Sequence, residues 1–516
     1  MEKWRGPSPA ETTAAGRKLN LWRWIGVAWT VILISISGWL TIGFPHPSDG
    51  DSVFYLPPML NYEKSGHLFT TFYGVNYSPA QDGRFIWHGF LFQMVGSLLM
   101  PEPTYEGVSW AQFFLQAITL LSAGLLIFSD RPVDGMAAVV RLVLPMVLAT
   151  WLQGFLGRPD LMVCTWTMLG TLWYCWAKNP RGKIVAAGVT IGLVAATSPL
   201  PALFLALIVL GVYAVKVHWP ECLRLCATAA IVALLVFAAT FLFYPFDFGQ
   251  WLHGIIAQAQ ASEGARGEGL VGFIKSWMFN FACSQPMILF WCFPLFFIAG
   301  QALGQGRARW PVGLCCSLAG IVILIILIAP DIRNYNVSCL LPVFLIPWLN
   351  WTGEDSSRQP RAFRYRAWSW AAILAGLITA VPFMRDILIR PYVDTALSRR
   401  QALMLVNEIK KTHPILNITG ALFTLFDDQT GLNIVQLDPD AHHANALKKD
   451  HGAALGDTLL VQQIDPYRAN PPEIEHYRLI RSYFGNFTPF RIAGVVVANS
   501  PRGYNFAVYE RISPDP

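Results

Sequence analysis

The 516-residue sequence predicts a multi-pass α-helical membrane protein of about 11 spans with a C-terminal extracytoplasmic α/β domain. Three observations carry that expectation. Hydrophobic residues make up 54% of the chain and charged residues only 14%, a balance outside the range of soluble domains. Apolar runs of roughly 20 residues, the length that crosses a hydrocarbon core, recur from Trp22 to about Ile389. Beyond residue 390 these runs stop and the composition becomes that of a soluble domain. The net charge of +6 does not indicate nucleic acid, because Lys and Arg sit in the connections between apolar runs.

The N-terminal segment, residues 1–21, carries Lys3, Arg5, Arg17 and Lys18, the pattern of a cytoplasmic flank. No small-residue cleavage site follows a short apolar core, so Trp22–Phe44 is read as a retained first span and not a signal peptide. Further spans are expected near 109–128, 136–153, 160–177, 183–198, 199–216, 224–244, 285–303, 310–329, 335–352 and 367–389. The connections Lys178–Lys183, Lys216–Arg224, Arg307–Arg309 and Arg358–Arg366 are basic, which places them on the cytoplasmic side. That rule needs an even number of crossings between the N-terminus and Lys178. Counting the short apolar segment Phe85–Met100 as a span breaks the parity, so it is laid along the outer interface. A first external loop of residues 45–108 results, long enough for two interfacial helices.

The same parity puts residues 390–516 outside. There, Ser398–Lys411 reads as a helix, and Ala421–Phe426, Leu432–Leu437, Thr458–Gln462, Ala493–Ala498 and Asn505–Glu510 read as strands. The tail has no glycine-rich phosphate loop and no nucleophile motif, which suits a docking or acceptor-handling cap. All nine cysteines precede Leu340 without metal-ligand spacing, so they read as small core residues.

Polar residues gather at the predicted outer ends of the spans. Ser48-Asp49-Gly50-Asp51-Ser52-Val53-Phe54-Tyr55 follows the first span directly, bringing two carboxylates and an aromatic to the membrane face. Gly157-Arg158-Pro159-Asp160 closes the third span, and Pro330-Asp331-Ile332-Arg333-Asn334-Tyr335 closes the ninth. The external loop 244–275 adds Asp247, His253, Glu263, Arg266 and Glu268. Ionisable groups at membrane depth cost about 2.5–3.5 kcal/mol each on insertion scales, so they are seldom kept without a partner or a role. Each has a structural alternative: Arg158 and Asp160 can pair or cap helix ends, and Arg333 can snorkel to headgroup phosphates. The joint occurrence of acids and arginines at one face suggests an acid–base centre beside an anion site.

These residues carry a resemblance. The Asp51-x-x-x-Tyr55 element in a long first external loop resembles the GT-C glycosyltransferases, especially protein O-mannosyltransferases and lipid A aminoarabinose transferases. Arg158-Pro159-Asp160 is similar to their second acidic motif, and Gly192–Ala202 to their fifth-to-sixth-span connection. Arg333-x-Tyr335 leading into Leu340-Leu341-Pro342 resembles a further recurring element. The chain departs at Ser198, where many relatives carry Lys in a Thr-Lys-Pro element.

The resemblance implies transfer of a sugar from a polyprenyl-phosphate donor to an external acceptor hydroxyl, usually with inversion. It implies Asp51 as general base, with Asp49 as the second choice, since a positioned carboxylate gives about 10²–10⁴-fold in rate. Arg158 and Arg333 would bind the donor phosphate, with Arg266 and Arg84 as weaker candidates. Asp160 would orient Arg158, bind a sugar hydroxyl, or join Asp51 around a divalent cation; carboxylates alone do not establish a metal. Tyr55 and Tyr335 would line the substrate site. Partners would be a polyprenyl-phosphate-linked sugar, membrane lipids, and a glycan, lipid or protein acceptor. The compact loops and tail point to a bacterial inner membrane with the tail in the periplasm. The chief alternative is a polytopic transporter or lipid flippase, disfavoured because it calls for internal repeats and charges near the bilayer midplane.

Overall fold

The computed structural model describes residues 9–43, 52–66, 68, 72–73, 90–128, 135–215, 219–243, 249, 339–345, 362–388, 397–427, 432–435, 458–462, 477–483, 490–492, 495–498 and 504–512. The fold is that of a multi-pass helical membrane protein with a small C-terminal sheet domain. Its first helix, α1, covers Pro9–Gly38 and ends in one π-helical turn, Trp39–Gly43. Two loop helices follow, α2 (Ser52–Ser65) and α3 (Leu91–Leu98). The long helices are α4 (Tyr105–Phe128), α5 (Met136–Gly154), α6 (Pro159–Trp176), α7 (Pro180–Thr197), α8 (Pro199–Val215), α9 (Trp219–Phe243) and α10 (Ala362–Leu388). Among the described residues, Leu21–Gly43, Tyr105–Phe128, Met136–Gly154 and Trp219–Leu242 are long and apolar enough to cross a membrane. The predicted spans 285–303 and 310–329, and most of 335–352, lie outside the described residues.

Helix α3 has eight residues and so rises only about 12 Å, well short of a hydrocarbon core. It packs against α2 and α4 and buries Phe92, Gln93 and Met94. Helices α4 and α5 bury 67% and 72% of their spans, whereas α9 buries 11%, so α4 and α5 form the centre and α9 the rim. Helix α4 touches α1, α5 and α6, and α10 lies along α5. Gly170 lets α6 approach α7 closely, because a Cβ there would collide with the Thr190 side chain.

The C-terminal domain opens with α11 (Arg399–Thr412), whose N-terminus is fixed by a capping box between Ser398 and Gln401. Its strands are β2 (Leu416–Thr419), β3 (Leu432–Val435), β4 (Thr458–Gln462), β5 (Tyr477–Tyr483), β6 (Phe490–Ile492), β7 (Val495–Ala498) and β8 (Phe506–Arg511). The main sheet runs β1-β3-β2-β4-β8-β5, and β6 and β7 form a separate antiparallel pair. Its first member, β1 (Phe72–Tyr73), comes from the first loop and adds in parallel to β3, Phe72 opposite Ile434 and Tyr73 opposite Val435.

One strand assignment is corrected. The expected strand Ala421–Phe426 is a 3₁₀ turn, Gly420–Leu425. The apolar residues Leu422, Phe423, Leu425 and Phe426 recur at a spacing of three, which suits a 3₁₀ helix and not an alternating strand. Strands β1, β2, β5 and β6 were not expected from the sequence.

Candidate active site

At the join of α5 and α6 the chain turns through Gly157, whose φ of 80° lies in the left-handed region that glycine occupies freely. Arg158 then takes an extended conformation as the N-cap of α6, with Pro159 at the first helical position. Its guanidinium Nε donates to Asp160 Oδ2 at 2.9 Å, and each side chain is about 3% exposed. The backbone N–H of Gly157 donates to Gln112 Oε1 on α4, so the turn is fastened to the central helix.

Cys164, one helical turn beyond Asp160, and Cys339 are both fully buried and within electrostatic range of the Asp160 carboxylate. Cys339 also lies in range of Arg158. The segment Cys339–Leu345 thus approaches the Arg158–Asp160 turn, and it begins four residues after the Arg333-x-Tyr335 element. Among the described residues, then, the structure brings Arg158 and Asp160 together, with Cys339 within electrostatic range of both.

Tyr55, on the first turn of α2, is buried and meets the Phe92 ring edge-on at 6.5 Å. On the same helix Asn61 is buried, and partial burial raises the Tyr62 hydroxyl pKa, helped by the neighbouring Glu63 charge. Asp49, Asp51, Arg84, Arg266, Arg333 and Tyr335 lie outside the described residues. Among the described residues no three His, Cys, Asp or Glu side chains are grouped to hold a metal ion.

Sequence reasoning missed three supports of this region. The first is a polar seam inside the bundle. Thr41, in the π-helical turn, donates to Gln116 Oε1 at 3.0 Å, and Gln153 Nε2 reaches the same oxygen at 3.4 Å. Thr119 and Thr165 join α4 to α6 through a 2.9 Å hydroxyl contact. Gln112, Gln116 and Thr119 recur at helical spacing along α4, which was a legible signal. The second is Arg141 on α5, 1% exposed, which donates to the Ile127 carbonyl at 3.2 Å. The third is Asp427, where the C-terminal domain meets α2 and α4. It pairs with Arg399 at 2.9 Å.

No family model matches the chain, and no curated protein matches it. Solved structures do show a distant likeness. One is an oligosaccharyltransferase of Archaeoglobus fulgidus in the apo form, 12% identical, TM-score 0.41, covering 80% of this chain and 64% of that one. This chain thus spans somewhat less than two thirds of that protein's length. Another is ArnT from Cupriavidus metallidurans bound to undecaprenyl phosphate, 13% identical, TM-score 0.41, covering 94% of this chain and 97% of that one.

Proposed function

We propose that this chain is an integral-membrane glycosyltransferase of the GT-C kind, moving a sugar from a polyprenyl-phosphate donor to an acceptor hydroxyl. The observation that carries the reading is the buried Arg158–Asp160 pair at the start of α6. A guanidinium at a helix N-terminus sits where the helix dipole favours negative charge, so it gains nothing from the helix that bears it. Its value there is as a partner for an anion; Asp160 balances its charge and keeps it aimed in the donor's absence.

In the proposed step, Asp51 removes the acceptor hydroxyl proton while that oxygen bonds to the anomeric carbon. The bond from that carbon to the phosphate oxygen breaks on the opposite face, inverting the centre and releasing polyprenyl phosphate. Arg158 and Arg333 take up the charge that develops on the leaving phosphate, with Arg266 and Arg84 as weaker candidates. Asp49 stands in for Asp51, and Tyr55 and Tyr335 line the sugar and lipid path. We assign the first loop and the C-terminal domain to the periplasmic face of a bacterial inner membrane, because the basic connections favour the cytoplasm.

The test uses the full chain in nanodiscs with undecaprenyl phosphate carrying a labelled sugar, reading release of undecaprenyl phosphate and transfer of label. Asp51→Asn is expected to lower transfer by about 10²–10⁴-fold while insertion and donor binding persist. Full transfer by a correctly inserted Asp51→Asn protein would remove Asp51 as base.

A further inference from the structure

We propose that Asp427 is a positioning residue that clasps the C-terminal domain onto both elements that organise the proposed site. Three separate elements meet on this one residue. From α11, Arg399 Nη2 donates to both carboxylate oxygens, at 2.9 and 3.1 Å. From α4, the Tyr105 backbone N–H donates to Oδ1 at 2.8 Å. From the last turn of α2, Lys64 Nζ donates to the Asp427 carbonyl.

The Tyr105 contact is a helix cap supplied from 322 residues away in sequence. Tyr105 is the first residue of α4, and its amide is among the four that a helix N-terminus leaves without an internal partner. The local Thr104 hydroxyl is engaged by the Gly107 amide at 3.0 Å, so the carboxylate serves a donor that Thr104 does not. A negative charge at this end is also favoured by the helix dipole. The Tyr105 ring is buried edge-on against Phe423 at 5.4 Å, so the residue is held at both amide and side chain. Arg399 is braced in turn by its Nε bond to the Thr424 carbonyl at 3.3 Å.

What the clasp holds is the frame of the site. Helix α2 begins at Ser52, the residue after Asp51, and ends at Lys64 and Ser65. Pro57 and Pro58 interrupt the hydrogen-bond ladder of this helix, so the Lys64 bond holds the turns that follow them, which carry the buried Asn61. Strand β1 adds a second anchor from the same loop to β3. Helix α4 carries Gln112, two turns beyond Tyr105, and Gln112 receives the Gly157 amide at the Arg158 turn. One residue of the C-terminal domain thus restrains the last turns of α2 and, through Gln112, the proposed phosphate turn. The domain is then a part of the active site's frame and not a detachable cap.

The structural arm of the test does not depend on the glycosyl-transfer reading, whereas the kinetic arm rests on it. Hydrogen exchange is measured on the full chain for wild type, Asp427→Ala and Asp427→Asn. In Asp427→Ala, exchange across residues 102–109 is expected to rise about fivefold, the equivalent of one lost cap, with β4 and β8 unchanged and with residues 56–66, held through the main-chain carbonyl, changing less. Asp427→Asn, which keeps an acceptor for the Tyr105 amide, is expected to raise it less. Unchanged exchange across residues 102–109 overturns the clasp. So does an equal rise in β4 and β8 in both variants, which would make Asp427 a fold residue only. In the transfer assay Asp427→Ala is expected to lower kcat by one to two orders of magnitude, with a smaller rise in donor KM from the loosened Arg158 turn. That expectation follows because a misplacement of about 1 Å costs on the order of 10²-fold in rate. A wild-type chain that transfers no sugar defeats the glycosyl-transfer reading and leaves the clasp to be judged by exchange.

Discussion

Arg141 and Arg158 are both almost fully buried in the bundle, at 1% and 2% exposure, yet they stand in opposite fields. Arg141 reaches the Ile127 carbonyl in the last turn of α4, where a helix exposes partial negative charge and welcomes a cation. Arg158 caps the N-terminus of α6, where the partial charge is positive, and a carboxylate two residues on must offset it. Burial alone therefore does not separate scaffold from site. The field around each guanidinium differs: Arg141 caps the C-terminal end of α4, and Arg158 is balanced by the Asp160 carboxylate at the N-terminal end of α6.

The comparison is sharpest at Asp160. Asp160→Ala should destabilise the protein by about 3–5 kcal/mol, since it leaves the Arg158 charge buried without its carboxylate. Thermal unfolding in detergent measures this, and a change below 1 kcal/mol would mean the pair is not what holds the turn. Next in size is a split between the two arginines. Arg158→Ala should lower sugar transfer about 10²–10³-fold, the range for removing one donor to a developing oxyanion. Arg158→Lys should restore little of it, because an ammonium lacks the planar fork. Arg141→Ala should leave transfer near wild type and cost up to about 2 kcal/mol of stability, the upper range for a cation at a helix C-terminus. Equal transfer losses at both positions would erase the distinction. The smallest effect is at Gly157. Placing Ala at its φ of 80° should cost about 1–2 kcal/mol and shift the Arg158 turn, seen as a raised donor KM before any loss of kcat.

The helices were legible because length and apolarity are direct requirements of a hydrocarbon core. The predicted 109–128 and 136–153 appear as Tyr105–Phe128 and Met136–Gly154. The Arg158–Asp160 turn was legible too, since Pro159 marks a helix start and charges at a span end stand out from their surroundings. Arg141 was hidden by the same logic, because one cation inside a strongly apolar window barely changes its average. The Gly420–Leu425 turn was misread because a short apolar run fits a strand and a 3₁₀ turn equally until its spacing of three is noticed. Asp427, Arg399 and Lys64 could not be found by spacing at all. Their meeting depends on how two distant parts of the chain dock, and local pattern carries no record of that.

Strand β1 has a consequence for the order of biosynthesis. Phe72 and Tyr73 leave the ribosome about 360 residues ahead of Ile434 and Val435, the neighbours they pair with. At about 5–20 residues per second, their edge of backbone waits roughly 20–70 s for its ladder to exist. Through that interval the short stretch is synthesised but has no β3 to pair with.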